Sequence, residues 1–93
     1  MSLPIGSITV ATPGTAVAVA TSGNAITAVS FRARADNTGA VYVGDSGVSS
    51  SNGYRLEPGD ELNLSFKETI DLRRFFVDAD TASDSIDFAG VAA

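Results

Sequence analysis

Four carboxylates near the C-terminal end of the chain lie close enough in sequence to suggest calcium binding. They are Asp78, Asp80, Asp84 and Asp87. Calcium takes about six to eight hard oxygen ligands, which an EF-hand loop supplies at fixed positions. Here Ala82 occupies the third ligand position of such a loop, and Ser83 occupies the position of its invariant glycine. The run therefore favours a solvated acidic turn over a calcium site.

Two further patterns resemble catalytic segments but lack what catalysis requires. Gly44-Asp45-Ser46-Gly47 has the letters of a nucleophile segment, yet the chain contains no histidine that could act as its base. Glycosidases use two carboxyl groups about 5 to 9.5 Å apart in a substrate cleft, and a domain of 93 residues leaves little room for one. The loop carboxylates that could form such a pair are Asp36, Asp45, Glu57 and Asp60. We therefore expect no catalytic site.

The composition narrows the chemistry further, because the chain has neither cysteine nor histidine. Disulfides and thiolate metal sites are excluded, and nearly every zinc site is removed together with Cys-His and Ser-His-Asp catalysis. The net charge of −5 disfavours a nucleic-acid partner, whose phosphates require a basic surface. These observations predict a non-enzymatic protein without cofactor or metal, whose partners are other proteins.

Arginines are the first group of candidate contact residues. Arg32 and Arg34 fall on one face of a predicted strand, and Arg73 and Arg74 precede the penultimate strand of an otherwise acidic chain. A guanidinium group matches a carboxylate with two parallel hydrogen bonds, so these side chains could join copies of the chain or attach it to a larger lattice. Pairing with exposed carboxylates of the same subunit is the alternative.

Aromatic residues and one loop form the second group of candidates. Tyr42, Tyr54 and Phe76 fall on strand faces opposite the predicted core, and tyrosine is common at protein interfaces. Packing at an end of the barrel is the alternative for these side chains. Residues 44–53 are the longest segment of low hydrophobicity, and Asp45 in this segment completes the candidate contacts. A solvated connection is the alternative for the loop.

Alternation of apolar and polar residues predicts an all-β fold, and it is clearest in residues 61–67 and 25–34. The predicted inward positions are Leu62, Leu64 and Phe66 in the first stretch, and Thr27, Val29, Phe31 and Ala33 in the second. Turn residues recur at intervals of roughly 8 to 12 residues. The pattern predicts a two-sheet β-sandwich or a jelly-roll-like barrel of about seven or eight short antiparallel strands.

The 93 residues are expected to form a single domain, with residues 1–22 as an N-terminal hairpin or arm. Pro13-Gly14 fits the central positions of a type II turn, so the flanking segments 7–12 and 16–21 form either a hairpin or a strand corner. Their small side chains specify strand register weakly, so this part could depend on a neighbouring subunit. Residues 69–73 predict a short helical turn or a crossover between sheets.

Several segments resemble small virion proteins of tailed bacteriophages, in which an N-T-G-x-V-Y-V-G strand precedes an L-x-P-G turn. The resemblance covers about residues 29–88. It is carried by Arg34–Gly39 (RADNTG), Val41–Gly44 (VYVG), Ser49–Gly53 (SSSNG), Leu56–Gly59 (LEPG), Asp71-Leu72 and Phe75–Ala79 (FFVDA). These segments are turn and strand markers rather than catalytic motifs. The N-terminal segment lies outside the resemblance.

The resemblance implies a structural protein of the phage virion, most directly a capsid decoration or cement protein. Such proteins are small β domains that sit at symmetry axes of the head and bridge capsomers, often as trimers. The implied partners are therefore further copies of the chain, in a homo-oligomer such as a trimer, and the major capsid protein or another virion protein.

The resemblance also implies location in the virion after synthesis in the cytoplasm of a host bacterium. The opening residues show no secretory signal, and the apolar runs are too short to span a membrane, which agrees with this expectation. The alternative function is a binding module of the tail, fibre or baseplate. Such a module would contact the host surface or its glycans through Tyr42, Tyr54 and the 44–53 loop.

Overall fold

The computed structural model describes residues 3–92, which form eight β-strands and one turn of 3-10 helix. The strands are β1 (Ile5–Val10), β2 (Val17–Ala18), β3 (Ala25–Ala33), β4 (Val41–Gly44), β5 (Tyr54–Leu56), β6 (Glu61–Asp71), β7 (Phe76–Ala79) and β8 (Asp84–Ala92). The 3-10 turn covers Leu72–Arg74. The predicted all-β fold is confirmed, although β3, β6 and β8 are longer than the short strands that turn spacing suggested.

Two antiparallel four-stranded sheets pack against each other. The front sheet has the strand order β1-β8-β3-β6, and the back sheet has the order β2-β7-β4-β5. Except for the β4–β5 hairpin, every connection passes from one sheet to the other. This order is the connectivity of an eight-stranded jelly roll, so both the two-sheet sandwich and the jelly-roll expectation are confirmed.

Alternating side chains of both sheets fill the space between them. The fully buried members include Ile26 and Phe31 from β3, Val41 from β4, Val77 from β7 and Ile86 from β8. Three phenylalanines add aromatic packing, since the ring centroid of Phe75 lies 5.5 Å from that of Phe31 and 6.1 Å from that of Phe66. Burial of these apolar surfaces is the main stabilising term, because each large side chain contributes about 1.5 to 3 kcal/mol.

The predicted alternation holds along β6 and along most of β3. Leu62, Leu64 and Phe66 pack against the core from β6. In β3 the register shifts between Ile26 and Ala28, which places Ile26 in the core and leaves Thr27 only partly buried. A bulge adds one residue to a strand and reverses the faces of the residues beyond it, which explains why strict alternation misplaces Thr27.

The N-terminal segment forms a strand corner and not a hairpin. β1 pairs with β8 in the front sheet, whereas β2 pairs with β7 in the back sheet. The predicted Pro13-Gly14 turn is present: Gly14 has a φ of 89°, and the Thr15 N–H donates to the Thr12 carbonyl at 3.1 Å. The hairpin expectation is therefore wrong, because the same turn redirects the chain from one sheet to the other.

The chain returns from β6 to β7 through the 3-10 turn. The short turn and the crossover predicted for residues 69–73 are both present, but the turn covers residues 72–74 because β6 extends to Asp71. The Asp71 carboxylate caps this turn by accepting from the Arg73 N–H at 2.9 Å. Leu72 is fully buried, and its N–H donates to the Asn24 carbonyl at 2.9 Å. One short turn thus connects the two sheets and contributes a core side chain.

Candidate contact surfaces

The solvent-side face of the back sheet is covered by loops. Tyr42 lies opposite the main core, as alternation predicts, but it is only 2 % exposed. It forms a second buried cluster with Ala40 and Val48, against which Ala16 and Phe76 also pack. Val48 belongs to the 44–53 loop, so the loop predicted to be a solvated or contact segment instead folds onto this face. The expectation that Tyr42 is displayed at the surface is therefore wrong.

Polar contacts hold the Tyr42 hydroxyl within a small network. It donates to the Asp80 carboxylate at 2.9 Å and accepts from Arg55 Nη1 at 3.0 Å. The Arg55 guanidinium also lies 5.9 Å from the centroid of the Tyr42 ring and pairs with Glu57 at 2.8 Å. Burial raises the pKa of the Tyr42 phenol, and its hydrogen bond to Asp80 raises it further. The network fixes the phenol in its neutral form.

The four carboxylates that suggested calcium serve four separate purposes. Asp78 accepts from the Gly14 N–H at 2.9 Å, Asp80 accepts from Tyr42, and Asp87 pairs with Arg34 at 3.0 Å. Asp84 accepts from the backbone N–H groups of Thr38 and Gly39 at 2.9 and 2.8 Å. Within residues 3–92, no three acidic side chains gather as metal ligands would.

The acidic segment is not the solvated turn that its sequence favours, because two of its carboxylates are buried. Asp78 is 2 % exposed and Asp84 is 5 % exposed. Asp78 accepts from one backbone N–H of a distant turn, and Asp84 accepts from two. Hydrogen bonds to a charged acceptor compensate for the hydration that each carboxylate loses on burial. Their function is therefore to hold turns of the scaffold.

The solvent-side face of the front sheet, called the front face below, is open. Strand register arranges its side chains in rows that cross the four strands. One row consists of Ser7, Asp87, Arg32 and Glu61, in the order β1-β8-β3-β6. The next consists of Ile5, Ala89, Ser30 and Asn63. The first row is thus mainly charged, whereas the second begins with the apolar Ile5 at the β1 edge and ends with the polar Asn63 at the β6 edge.

Charges on the front face are largely paired within the chain. Arg34 Nε lies 3.0 Å from the Asp87 carboxylate, which also accepts from the Ser7 hydroxyl. The Ser7 hydrogen bond lowers the pKa of Asp87, with further lowering by Arg34 and Arg32 and opposition from partial burial. Arg34 therefore follows the alternative of pairing inside the subunit. Arg32 is exposed between Asp87 and Glu61, its cross-strand neighbours on either side.

A concavity of about 390 Å³ lies on this face, lined by residues of all four front-sheet strands. Its polar walls include Arg32, Glu61, Asn63 and Asp87, and its apolar edge includes Ile5. Such a shallow depression offers both charge and apolar area to a partner surface. Apolar side chains and paired polar groups occur together in protein interfaces as well.

The remaining candidate residues are separated in the structure. Tyr54 is 58 % exposed on β5, at an edge of the back sheet. Asp45 is exposed at the start of the 44–53 loop, where its carboxylate accepts from the Gly47 N–H at 2.9 Å. Phe76 is partly buried and packs against the Tyr42 cluster. The structure thus brings Arg32 and Arg34 to one face and leaves Tyr54 and Asp45 elsewhere.

Three surface residues that the sequence reasoning missed are large and apolar. Leu3 is 58 % exposed, Ile5 is 69 % exposed and Val91 is 42 % exposed. Ile5 lies on β1 and Val91 on the neighbouring β8. The available signal was the alternation of Ile5, Ser7 and Thr9 with Gly6, Ile8 and Val10, which assigns Ile5 to the polar side of its strand.

Comparisons with protein-family models, with curated proteins and with solved structures find no match for this chain. Within residues 3–92, no helix has the length and apolar character needed to cross a membrane.

Proposed function

We propose that this chain is a non-enzymatic structural protein of a tailed-phage virion, and that it decorates or cements the head through protein–protein contacts. The observation that carries the proposal is the open front face, which combines a concavity, exposed apolar side chains and a charged row. The turn and strand segments that resemble phage virion proteins support the same assignment. They form the scaffold that presents this face.

The connectivity of the fold adds support, because double-sheet jelly rolls are common in viral capsid and lectin domains. A fold hosts many functions, so the topology supports the proposal only together with the surface. Asp78 and Asp84 are buried against distant turns and hold the scaffold that presents the front face. A small domain of this kind strengthens a shell by adding buried interface at many equivalent sites.

The partners in this proposal are the major capsid protein, or another virion protein, and further copies of the chain. Arg32 is the best candidate for a contact with an acidic partner surface, since it is exposed in the charged row. An arginine fork in a partly desolvated contact gives direction and specificity to the docking. A homo-oligomer, often a trimer in the resembled proteins, would present several such faces to the particle.

Purified phage particles provide the direct test. We expect the protein in particles after gradient purification, and density of its size on the head in cryo-electron microscopy. Arg32→Glu should lower its occupancy on particles, whereas Arg74→Glu, the same charge change in the 3-10 turn, should leave occupancy unchanged. Detection of the protein only in infected-cell lysate and never in particles would contradict the proposal.

A binding module of the tail or fibre is the second candidate function, and the exposure of Tyr54 is the observation that favours it. Burial of Tyr42 removes the other aromatic residue from this reading. A sugar that stacks on Tyr54 should appear in glycan-array binding and disappear with Tyr54→Ala. Cryo-electron microscopy density on the tail, together with such binding, would select this function over head decoration.

A further inference from the structure

The four edges of the two sheets differ in how well they are protected from pairing with another strand. β2 and β5, the edges of the back sheet, are two and three residues long. β6 carries four charged residues, Glu61, Lys67, Glu68 and Asp71. Its register with β3 is also irregular, because residues 66–69 of β6 lie opposite the single residue Thr27. Short length, charge and irregular register are the usual devices that block edge pairing. The remaining edge, β1, has none of them.

β1 is regular, six residues long and uncharged. The Gly90 N–H donates to the Pro4 carbonyl at 2.8 Å, and the register of β1 and β8 continues from this pair. In an antiparallel strand the N–H and C=O groups of successive residues point alternately to the two sides of the strand. Those of Gly6 and Ile8 therefore point to β8, and those of Ile5 and Ser7 point to the open edge. Within residues 3–92, no strand pairs with that side of β1.

The charge distribution favours a second copy of the chain at this edge. The net charge is −5, and two copies repel each other over most orientations. Every charged residue of the sequence, however, lies at Arg32 or beyond, so the N-terminal third is neutral. Two copies of an uncharged strand can pair without electrostatic repulsion between their side chains. An antiparallel pair of identical strands is also closed by a two-fold axis, the commonest symmetry of oligomers.

The exposed apolar residues lie at the same edge. Ile5 is the most exposed large apolar residue among those the structure describes, and Leu3 and Val91 are also exposed near this end of the sheet. A two-fold axis at Ile5 would place the two Ile5 side chains side by side and Leu3 opposite Ser7 of the second copy. Contact between the two Ile5 side chains would remove apolar surface from water, in addition to the hydrogen bonds between the two backbones.

We propose that β1 pairs antiparallel with β1 of a second copy about a two-fold axis near Ile5, so that two front sheets join into one eight-stranded sheet. This inference deepens the proposed function, on which its biological setting rests, by naming the surface through which copies associate. It predicts a dimeric unit, whereas the resembled proteins are often trimers. A single strand pair buries less than the roughly 1,200 Å² of a stable complex, so the isolated dimer is weak and gains strength from high local concentration on a particle.

Cysteine cross-linking of the purified full chain tests the pairing, because the native sequence contains no cysteine. Hydrogen-bonded antiparallel partners have Cα atoms about 5.5 Å apart, within the range that a disulfide spans. We expect Ile5→Cys to form covalent dimers about tenfold faster than Ser65→Cys, which places an exposed cysteine on the opposite edge strand β6. Addition of Ser7→Pro, which removes an N–H directed to the open edge, should abolish this difference.

The unsubstituted protein supplies a second readout. Raising its concentration should shift and protect the backbone amides of Ile5 and Ser7 in nuclear magnetic resonance and hydrogen exchange, while the amides of Glu61–Lys67 remain unchanged. Equal cross-linking rates for Ile5→Cys and Ser65→Cys, or β1 amides that are independent of concentration, would overturn the inference. Both measurements use purified protein, so their failure is distinguishable from absence of the protein in phage particles.

Discussion

The side-chain amide of Asn37 forms two hydrogen bonds with the backbone of Ser85, a residue 48 positions away in the sequence. Asn37 Oδ1 accepts from the Ser85 N–H at 2.9 Å, and Asn37 Nδ2 donates to the Ser85 carbonyl at 2.8 Å. The Arg34 N–H donates to the same carbonyl at 3.3 Å. The side chain thus acts as a short substitute strand that continues the pairing of β8 where β3 ends.

Replacement of this side chain should destabilise the fold. Asn37→Ala leaves both backbone groups of Ser85 without this partner, and we expect the free energy of unfolding to fall by about 1 to 3 kcal/mol. Urea unfolding measures the change. Asn63→Ala is the matched control: Asn63 is exposed, makes one hydrogen bond to Ser30 at 2.7 Å, and should change stability by less than about 1 kcal/mol. Equal losses in the two variants would contradict the assigned importance of the Asn37 pair.

The β-sandwich could be predicted because its evidence is local. Alternation along Glu61 to Lys67 assigns inward and outward faces without reference to the rest of the chain, and turn residues mark where strands end. A bulge breaks that logic, since β3 has one more residue than β8 at Thr27, and Ile26 then lies in the core. The Asn37–Ser85 pair lies beyond local reasoning altogether, because nothing near Asn37 indicates the strand that it contacts.

The candidate site shows the same limit in another form. Alternation correctly places Tyr42 opposite the main core, but it cannot tell whether another segment covers that side, and Val48 does. Carboxylate spacing brought Asp78 and Asp84 together in sequence, whereas the structure directs each to the backbone of a different turn. The open edge of β1 required the strand order, which depends on long-range pairing that sequence patterns do not specify.

The packing of the 44–53 loop over Tyr42 should require a glycine at position 53. A Cβ atom at this position would lie 2.6 Å from Cβ of Tyr42 and 2.7 Å from Cγ2 of Val48, so the loop must shift to accommodate it. We expect Gly53→Ala to lower the free energy of unfolding by about 1 to 3 kcal/mol, as overpacking does in cores. Gly47→Ala in the same loop places its Cβ 3.4 Å from the Asp45 carboxylate and should be tolerated. Thermal unfolding of the pair measures the contrast, and similar behaviour of the two variants would count against a close-packed cover.

The Tyr42 phenol should ionise only above its ordinary pKa, and its ionisation should destabilise the fold at alkaline pH. Burial, followed by the hydrogen bond to Asp80, raises its pKa above the ordinary value of 10.0. Its contribution to stability is therefore complete below about pH 10 and is lost as the pH rises through the raised pKa of the folded state. Because the chain has two tyrosines, Tyr54→Phe leaves Tyr42 as the single phenol for ultraviolet titration. Ionisation of Tyr42 at or below its ordinary pKa would contradict its burial.

The Asp71 carboxylate should remain ionised at pH values below its ordinary pKa. Its pKa is lowered to about 2, first by hydrogen bonds from the Arg73 side chain and then by the backbone N–H groups of Arg73 and Asn24. The ordinary value is 3.8, so the stability that this carboxylate provides is present above about pH 4 and is lost as the pH falls through about 2. Carboxyl chemical shifts in nuclear magnetic resonance report the titration directly.

The matching substitutions separate the side-chain and backbone contributions to this shift. In Arg73→Ala the pKa of Asp71 should rise but stay below 3.8, because the Arg73 N–H, at 2.9 Å, and the Asn24 N–H, at 3.4 Å, still donate to its carboxylate. Arg74→Ala, one residue further along the same 3-10 turn, should leave the pKa of Asp71 unchanged. An unaltered pKa of Asp71 in Arg73→Ala would contradict the side-chain contribution. It would mean that the backbone N–H groups alone lower this pKa, since exposed ion pairs of this kind are weak when water screens them.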